Sequence, residues 1–131
     1  MKKIIAALVV IISLFTLPVL SNNTSIKEAY DSQKSDVQVK GEGEVFVILA
    51  DDLQESKHQK FILRIDSKHT VLIAHNIDLA PRIENVKVGD RVAFYGEYEW
   101  NNKGGVVHWT HKDPRGSHID GWLKHQDKTY Q

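Results

Sequence analysis

Val37-Gln38-Val39-Lys40-Gly41-Glu42-Gly43-Glu44-Val45-Phe46-Val47-Ile48-Leu49 is the stretch that decides the fold. Its first half alternates: Val37, Val39, Gly41, Gly43 and Val45 fall on one side, Gln38, Lys40, Glu42 and Glu44 on the other. Period two marks a strand with one buried face. From Val45 the run is continuously apolar, which predicts burial on both faces. Gly41 and Gly43 inside it predict a sharp bend or a bulge.

Toward the C-terminus four more strands follow. Lys60 to Ile65 places Phe61, Leu63 and Ile65 on one face, and Asp66-Ser67-Lys68 turns the chain into Thr70 to Ala74. His75 to Asn85, with Pro81, is neither a clean strand nor a long helix. Val86-Lys87-Val88-Gly89-Asp90-Arg91-Val92 then leads into Ala93 to Trp100. Val92, Phe94, Gly96, Tyr98 and Trp100 form the core face there, with Ala93, Tyr95, Glu97 and Glu99 opposite. Asn101-Asn102-Lys103-Gly104-Gly105 is a hairpin loop, Gly105 to Thr110 the fifth strand, and Asp113-Pro114-Arg115-Gly116 breaks it. Trp122 to Tyr130 predicts a terminal hairpin turning at Gln126-Asp127. No long crossover helix separates the strands, which argues against an α/β fold. The expectation is an all-β domain with short helical turns: a small five-stranded OB-like barrel over 37–131, carrying a His- and Trp-rich C-terminal extension.

Toward the N-terminus, residues 22–36 are polar and read as a flexible leader or a short helix, with capping-box spacing at Ser25-Ile26-Lys27-Glu28. Residues 1–21 have the pattern of a secretory signal peptide: Lys2-Lys3, an uncharged apolar run from Ile4 to Leu20, then Ser21. Cleavage is expected near Ser21-Asn22. The short run and Pro18 argue against a permanent anchor, so no membrane span is expected after cleavage. The expected location is the periplasm or the exterior.

The 131 residues hold 17 basic and 17 acidic side chains, seven His and no Cys. Disulfides, thiolate catalysis, thiolate metal sites and Cys lipidation are excluded. Without Lys2 and Lys3 the balance is 15 basic to 17 acidic, a charge of −2. Dedicated nucleic-acid binders carry a basic excess, so nucleic acid is disfavoured as a partner. An unidentified small molecule or an envelope protein is the expected partner, and no oligomeric state is implied.

The densest functional stretch runs from His108 to Trp122, with three His, two Trp, two Asp and one Arg. Three readings compete. A transition metal could use His108, His111 and His118, with Asp113, since imidazole suits such ions. This reading is not favoured, because on a strand His108 and His111 point to opposite faces. General acid–base chemistry could pair His with Asp and use Arg115 for an anion. A binding surface would stack a ligand on Trp109 and Trp122, with His108, His111, Asp113, Arg115 and His118 orienting it. The bland counterpart is packing over the barrel end. His75 and Asn76, with Asp78 and Arg82, form a second polar group, for which a turn-building role is favoured. His58 and His125 read as solvated loop residues, and His69 as a group at a strand entry. No catalytic residue is assigned.

His58-Gln59-Lys60-Phe61, Ala74-His75-Asn76-Ile77-Asp78-Leu79-Ala80-Pro81-Arg82, Phe94 to Trp100 and Gly104 to His111 carry a likeness. It continues through Asp113 to Gly116, His118, Gly121-Trp122-Leu123 and Thr129-Tyr130-Gln131. Over roughly Gln38 to Gln131 the chain resembles a family of small exported bacterial proteins catalogued only as a domain of unknown function. The resemblance implies export and one β-rich domain, and brings no substrate and no catalytic residue. The leading expectation is a binding or accessory module of the bacterial cell envelope. The alternative is a metal-dependent hydrolase built on His108 to His118.

Overall fold

The computed structural model describes residues 9–11 and 23–131. The expected signal segment and its processing point lie outside the described residues, apart from exposed Val9, Val10 and Ile11. No described helix is long and apolar enough to cross a membrane.

Among the described residues one helix, α1 (Thr24–Asp31), precedes seven strands: β1 (Val37–Ile48), β2 (His58–Arg64), β3 (Thr70–Asn76), β4 (Arg91–Glu99), β5 (Val106–His108), β6 (Trp122–His125) and β7 (Lys128–Tyr130). They lie in the order β1-β2-β3-β5-β4-β6-β7, and β1 also pairs with β4. That last pairing closes β1, β2, β3, β5 and β4 into a five-stranded barrel, as expected from the sequence. β3 and β5 run parallel, and every other pair is antiparallel.

β1 closes the barrel by changing partners. Val37 to Glu44 pair with β4, and Glu44 to Ile48 pair with β2. A register shift falls between Val45 and Val47, just after the two glycines. At Gly43 a Cβ would stand 2.7 Å from the Arg64 carbonyl, so only glycine lets β1 cross β2 this closely. Double-sided burial beyond Val45 does not occur. Phe46 and Ile48 continue the outward parity of Glu42 and Glu44, each nearly half exposed, and the Arg64 guanidinium covers the Phe46 ring at 4.3 Å.

Alternation elsewhere places the core as read. Phe61, Leu63, Val71, Ile73, Val92, Phe94, Tyr98, Val107 and Leu123 are buried together. α1 inserts Ile26 and Ala29 into the same core. It does so because Asn23 and Ser25 dock on β1: the Glu42 N–H donates to Asn23 Oδ1 at 2.8 Å, and the Lys40 N–H to Ser25 Oγ at 2.9 Å. Ser25 therefore serves β1 and does not cap the helix.

The fifth strand is shorter than expected. It stops at His108 because Trp109 takes a left-handed backbone, φ 53°. Residues 109–121 form a loop tied at its base: the Gly121 N–H donates to the His111 carbonyl and the Asp113 N–H to Asp120 Oδ1. A Cβ at Gly121 would meet the Trp109 carbonyl, so the loop's two ends touch there. β6 then pairs with β4 at Ala93 to Tyr95, where β5 has left it free, and turns at Gln126-Asp127, both with positive φ.

Candidate functional site

Strand parity divides the predicted site residues into an inner and an outer set. His75 lies inside the barrel wall, fully buried. Its Nε2 stands 2.9 Å from the Pro81 carbonyl, which can only accept, so Nε2 carries the proton. Nδ1 then accepts from the Thr110 hydroxyl at 2.7 Å. Burial pushes the imidazole down to about 4, so it is neutral at pH 7. His111 is also buried, with Nδ1 at 2.8 Å from the Lys112 carbonyl. His111 keeps the inward parity of Val107, and the left-handed Trp109 brings Thr110 inward beside it, both away from His108.

The other members of the second group build turns and a clamp. Asn76 Oδ1 accepts from the Asp78 and Leu79 N–H groups. Arg82 holds both Asp51 oxygens, at 2.7 and 3.4 Å. Next to them a buried Gln59 side chain pairs with both backbone groups of Ile83, like one rung of a ladder. Asp113 is similarly committed. Its carboxylate accepts from the N–H groups of Arg115, Ser117 and His118 and from the Ser117 hydroxyl. Those donors, with the Arg115 N–H foremost, pull it down to about 2.

On the outer side, Trp109 stacks flat on His118, centroids 4.0 Å apart and planes 11° apart. The two rings, with Leu79, Asp113, Pro114, Arg115 and Ser117, line a concavity of about 650 Å³. Arg115 is exposed and its guanidinium has no ion pair among the described residues. Trp122 lies apart from this dish, tilted against Tyr95 and flanked by the Lys40 and Lys124 ammonium groups at 5.6 and 4.5 Å.

Two carboxylates that the sequence reading left as mere neighbours join this face. The outer row of β4 is Ala93, Tyr95, Glu97 and Glu99, and the hairpin register sets Glu97 opposite His108. His108 Nε2 stands 3.2 Å from Glu97 and 3.5 Å from Glu99. His118 Nε2 reaches the other Glu97 oxygen at 3.4 Å. The signal was present: 97 lies four residues before the Asn101–Gly105 loop and 108 three after it, and both fall on outward positions. His125 is not solvated either. It is buried, and its Nε2 lies 2.8 Å from Asp90, whose carboxyl it holds low. His69 stacks on Tyr30 at 4.4 Å, and its Nε2 bonds the Gly104 carbonyl.

No curated protein and no solved structure matches the chain. The sequence pattern of one family, described as a protein of unknown function (DUF3465), does match over residues 8–131, which takes in the barrel, the loop 109–121 and the terminal hairpin alike. The chain belongs to that family.

Proposed function

We propose that the protein is an exported binding module of the bacterial cell envelope and that the dish around Trp109 and Arg115 is its ligand surface. The observation that carries the reading is the pairing of an ordered aromatic platform with an uncommitted cation. Trp109 is lifted out of the sheet by its left-handed backbone and braced by His118. Arg115 stands on the same concavity, while Asp113, the nearest anion, is saturated by the turn. Such a surface suits a small molecule or peptide end with a planar or apolar part for Trp109, Leu79 and Pro114, and a carboxylate for Arg115. Titration of ¹⁵N-labelled protein with benzoate and with benzamide tests the reading. Benzoate is expected to shift the Trp109 indole and Arg115 Nε signals, benzamide much less, and Arg115→Gln to remove the difference. Equal shifts by both probes, or an unaltered response in Arg115→Gln, would defeat it.

Export is supported by Lys2-Lys3, the apolar Ile4 to Leu20 and Ser21. Intact-mass measurement of protein from the envelope fraction is expected to show a chain beginning near Asn22. A full-length mass in the membrane fraction contradicts export with cleavage.

A further inference from the structure

The group formed by Glu97, Glu99, His108 and His118 gathers two carboxylates and two imidazoles. Donor atoms of Glu97, Glu99 and His108 all lie within 4.8 Å of one another. His108 Nε2 is closed off from solvent, yet neither of its carboxylate contacts is aligned as a hydrogen bond. His118 Nδ1 stands 2.8 Å from the Ile119 carbonyl and must carry the proton of the neutral ring. Its Nε2 is then a bare lone pair facing Glu97 Oε1 at 3.4 Å. In that neutral ring two acceptors face each other, and either a proton on Nε2 or a metal ion between them relieves the repulsion.

Distance fits the ion. Nitrogen and oxygen ligands on a tetrahedral shell of about 2.0–2.1 Å radius stand roughly 3.3–3.4 Å apart. His108 Nε2 stands 3.2 and 3.5 Å from its two carboxylate neighbours. The Nδ1–H bond from His118 to a backbone carbonyl is the outer-shell contact that fixes a metal-binding tautomer. A third carboxylate, Asp36, neighbours Glu99, and burial followed by this neighbour raises the Glu99 carboxyl. A cavity of about 330 Å³ lined by Asp52, His58, Lys60, Glu99 and His108 adjoins the cluster on its Glu99 side.

We propose that Glu97, Glu99 and His108, with His118 closing on the second oxygen of Glu97, form a site for one divalent first-row transition ion. Imidazole nitrogen with carboxylate oxygen and no thiolate selects zinc, iron(II), nickel or manganese over calcium or copper(I). The site is separate from the dish in its ligands and shares only His118. It therefore stands or falls on Glu97 and His108, whereas the ligand surface rests on Arg115.

The test is titration of the EDTA-treated mature protein with Zn²⁺, followed by calorimetry and by ¹⁵N-histidine NMR. A one-to-one isotherm is expected, with the ring signals of His108 and His118 moving and those of His75, His111 and His125 unchanged. Glu97→Gln and His108→Gln are expected to weaken binding by about tenfold or more, and His125→Gln to leave it unchanged. The NMR result on the unsubstituted protein decides even if a variant fails to fold. Absence of binding would show a hydrogen-bonded ion-pair cluster only and overturn the proposal. So would Zn²⁺ shifts confined to other histidines, or wild-type affinity in Glu97→Gln.

Discussion

Phe94→Ala is expected to lower the unfolding free energy by about 3–5 kcal/mol, and Phe61→Ala by a similar amount. Phe94 is fully buried in the strand that touches most of the barrel. It sits opposite Gly41 of β1 and Leu123 of β6. Its ring lies under Gly41, where an added Cβ would come within 2.7 Å of Cζ. The ring thus fills space that Gly41 leaves open, and β1 is held at that distance by its pairing with β4, so the hole cannot collapse. Phe61 lies between Ile48 and Ile73 in register and is equally buried. Domains of this size have roughly 5–15 kcal/mol of stability in all, so either change removes a large share. Urea melts measure it. A loss under about 1 kcal/mol at either position would place that ring outside the core.

The second large effect is a loss of stability in mild acid, and its origin is His75. In the unfolded chain the ring titrates near its ordinary 6.5, whereas burial lowers it to about 4 in the folded protein. Between those values the unfolded state binds a proton that the folded state refuses. Stability is therefore complete above about pH 6.5 and falls as the pH drops toward 4. The gap corresponds to about 3 kcal/mol. Asp66, Asp90 and Asp113 are held low and add losses only below the ordinary carboxylate range, at lower pH. Glu99, held high, acts with the opposite sign and offsets part of the fall. Urea midpoints at pH 7, 6, 5 and 4 should decline in the native protein. His75→Gln should be less stable at pH 7 and much flatter over that range. An equal slope in the variant would assign the effect elsewhere.

Much of the barrel was legible because alternation is a strong signal where one face is buried. β2, β3 and β4 follow it residue by residue, and Gln126-Asp127 announced the last turn. The exposure of Phe46 and Ile48 was not legible although it continues the parity of Glu42 and Glu44, since an apolar residue on that row does not show that its face is solvated. Nor was the end of β5. Nothing about Trp109 itself requests a left-handed backbone; the tight return of the loop through Gly121 does. Strand spacing already sets His111 apart from His108; what it could not foresee is that this one angle brings Thr110 to the inner side as well, within reach of His75. Asp113 and Asn76 show their roles locally, through the turns they serve. The Glu97–His108 contact was implicit in the hairpin but needed the pairing register to be followed across the loop. Gln59 and His125 were beyond reach, because their partners, Ile83 and Asp90, come from distant segments.

The sharing of β4 between β5 and β6 also bears on how the protein behaves when crowded. A strand with unpaired backbone groups invites a second chain to add to it. Here β1 occupies one side of β4 throughout, and β5 and β6 divide the other. Closure removes edges from the barrel itself, so among the described strands the open row belongs to β7. That row is three residues long, Lys128-Thr129-Tyr130, and starts with a charge. So short and charged an edge is a poor template for strand addition, and the fold carries its own protection against edge-to-edge aggregation.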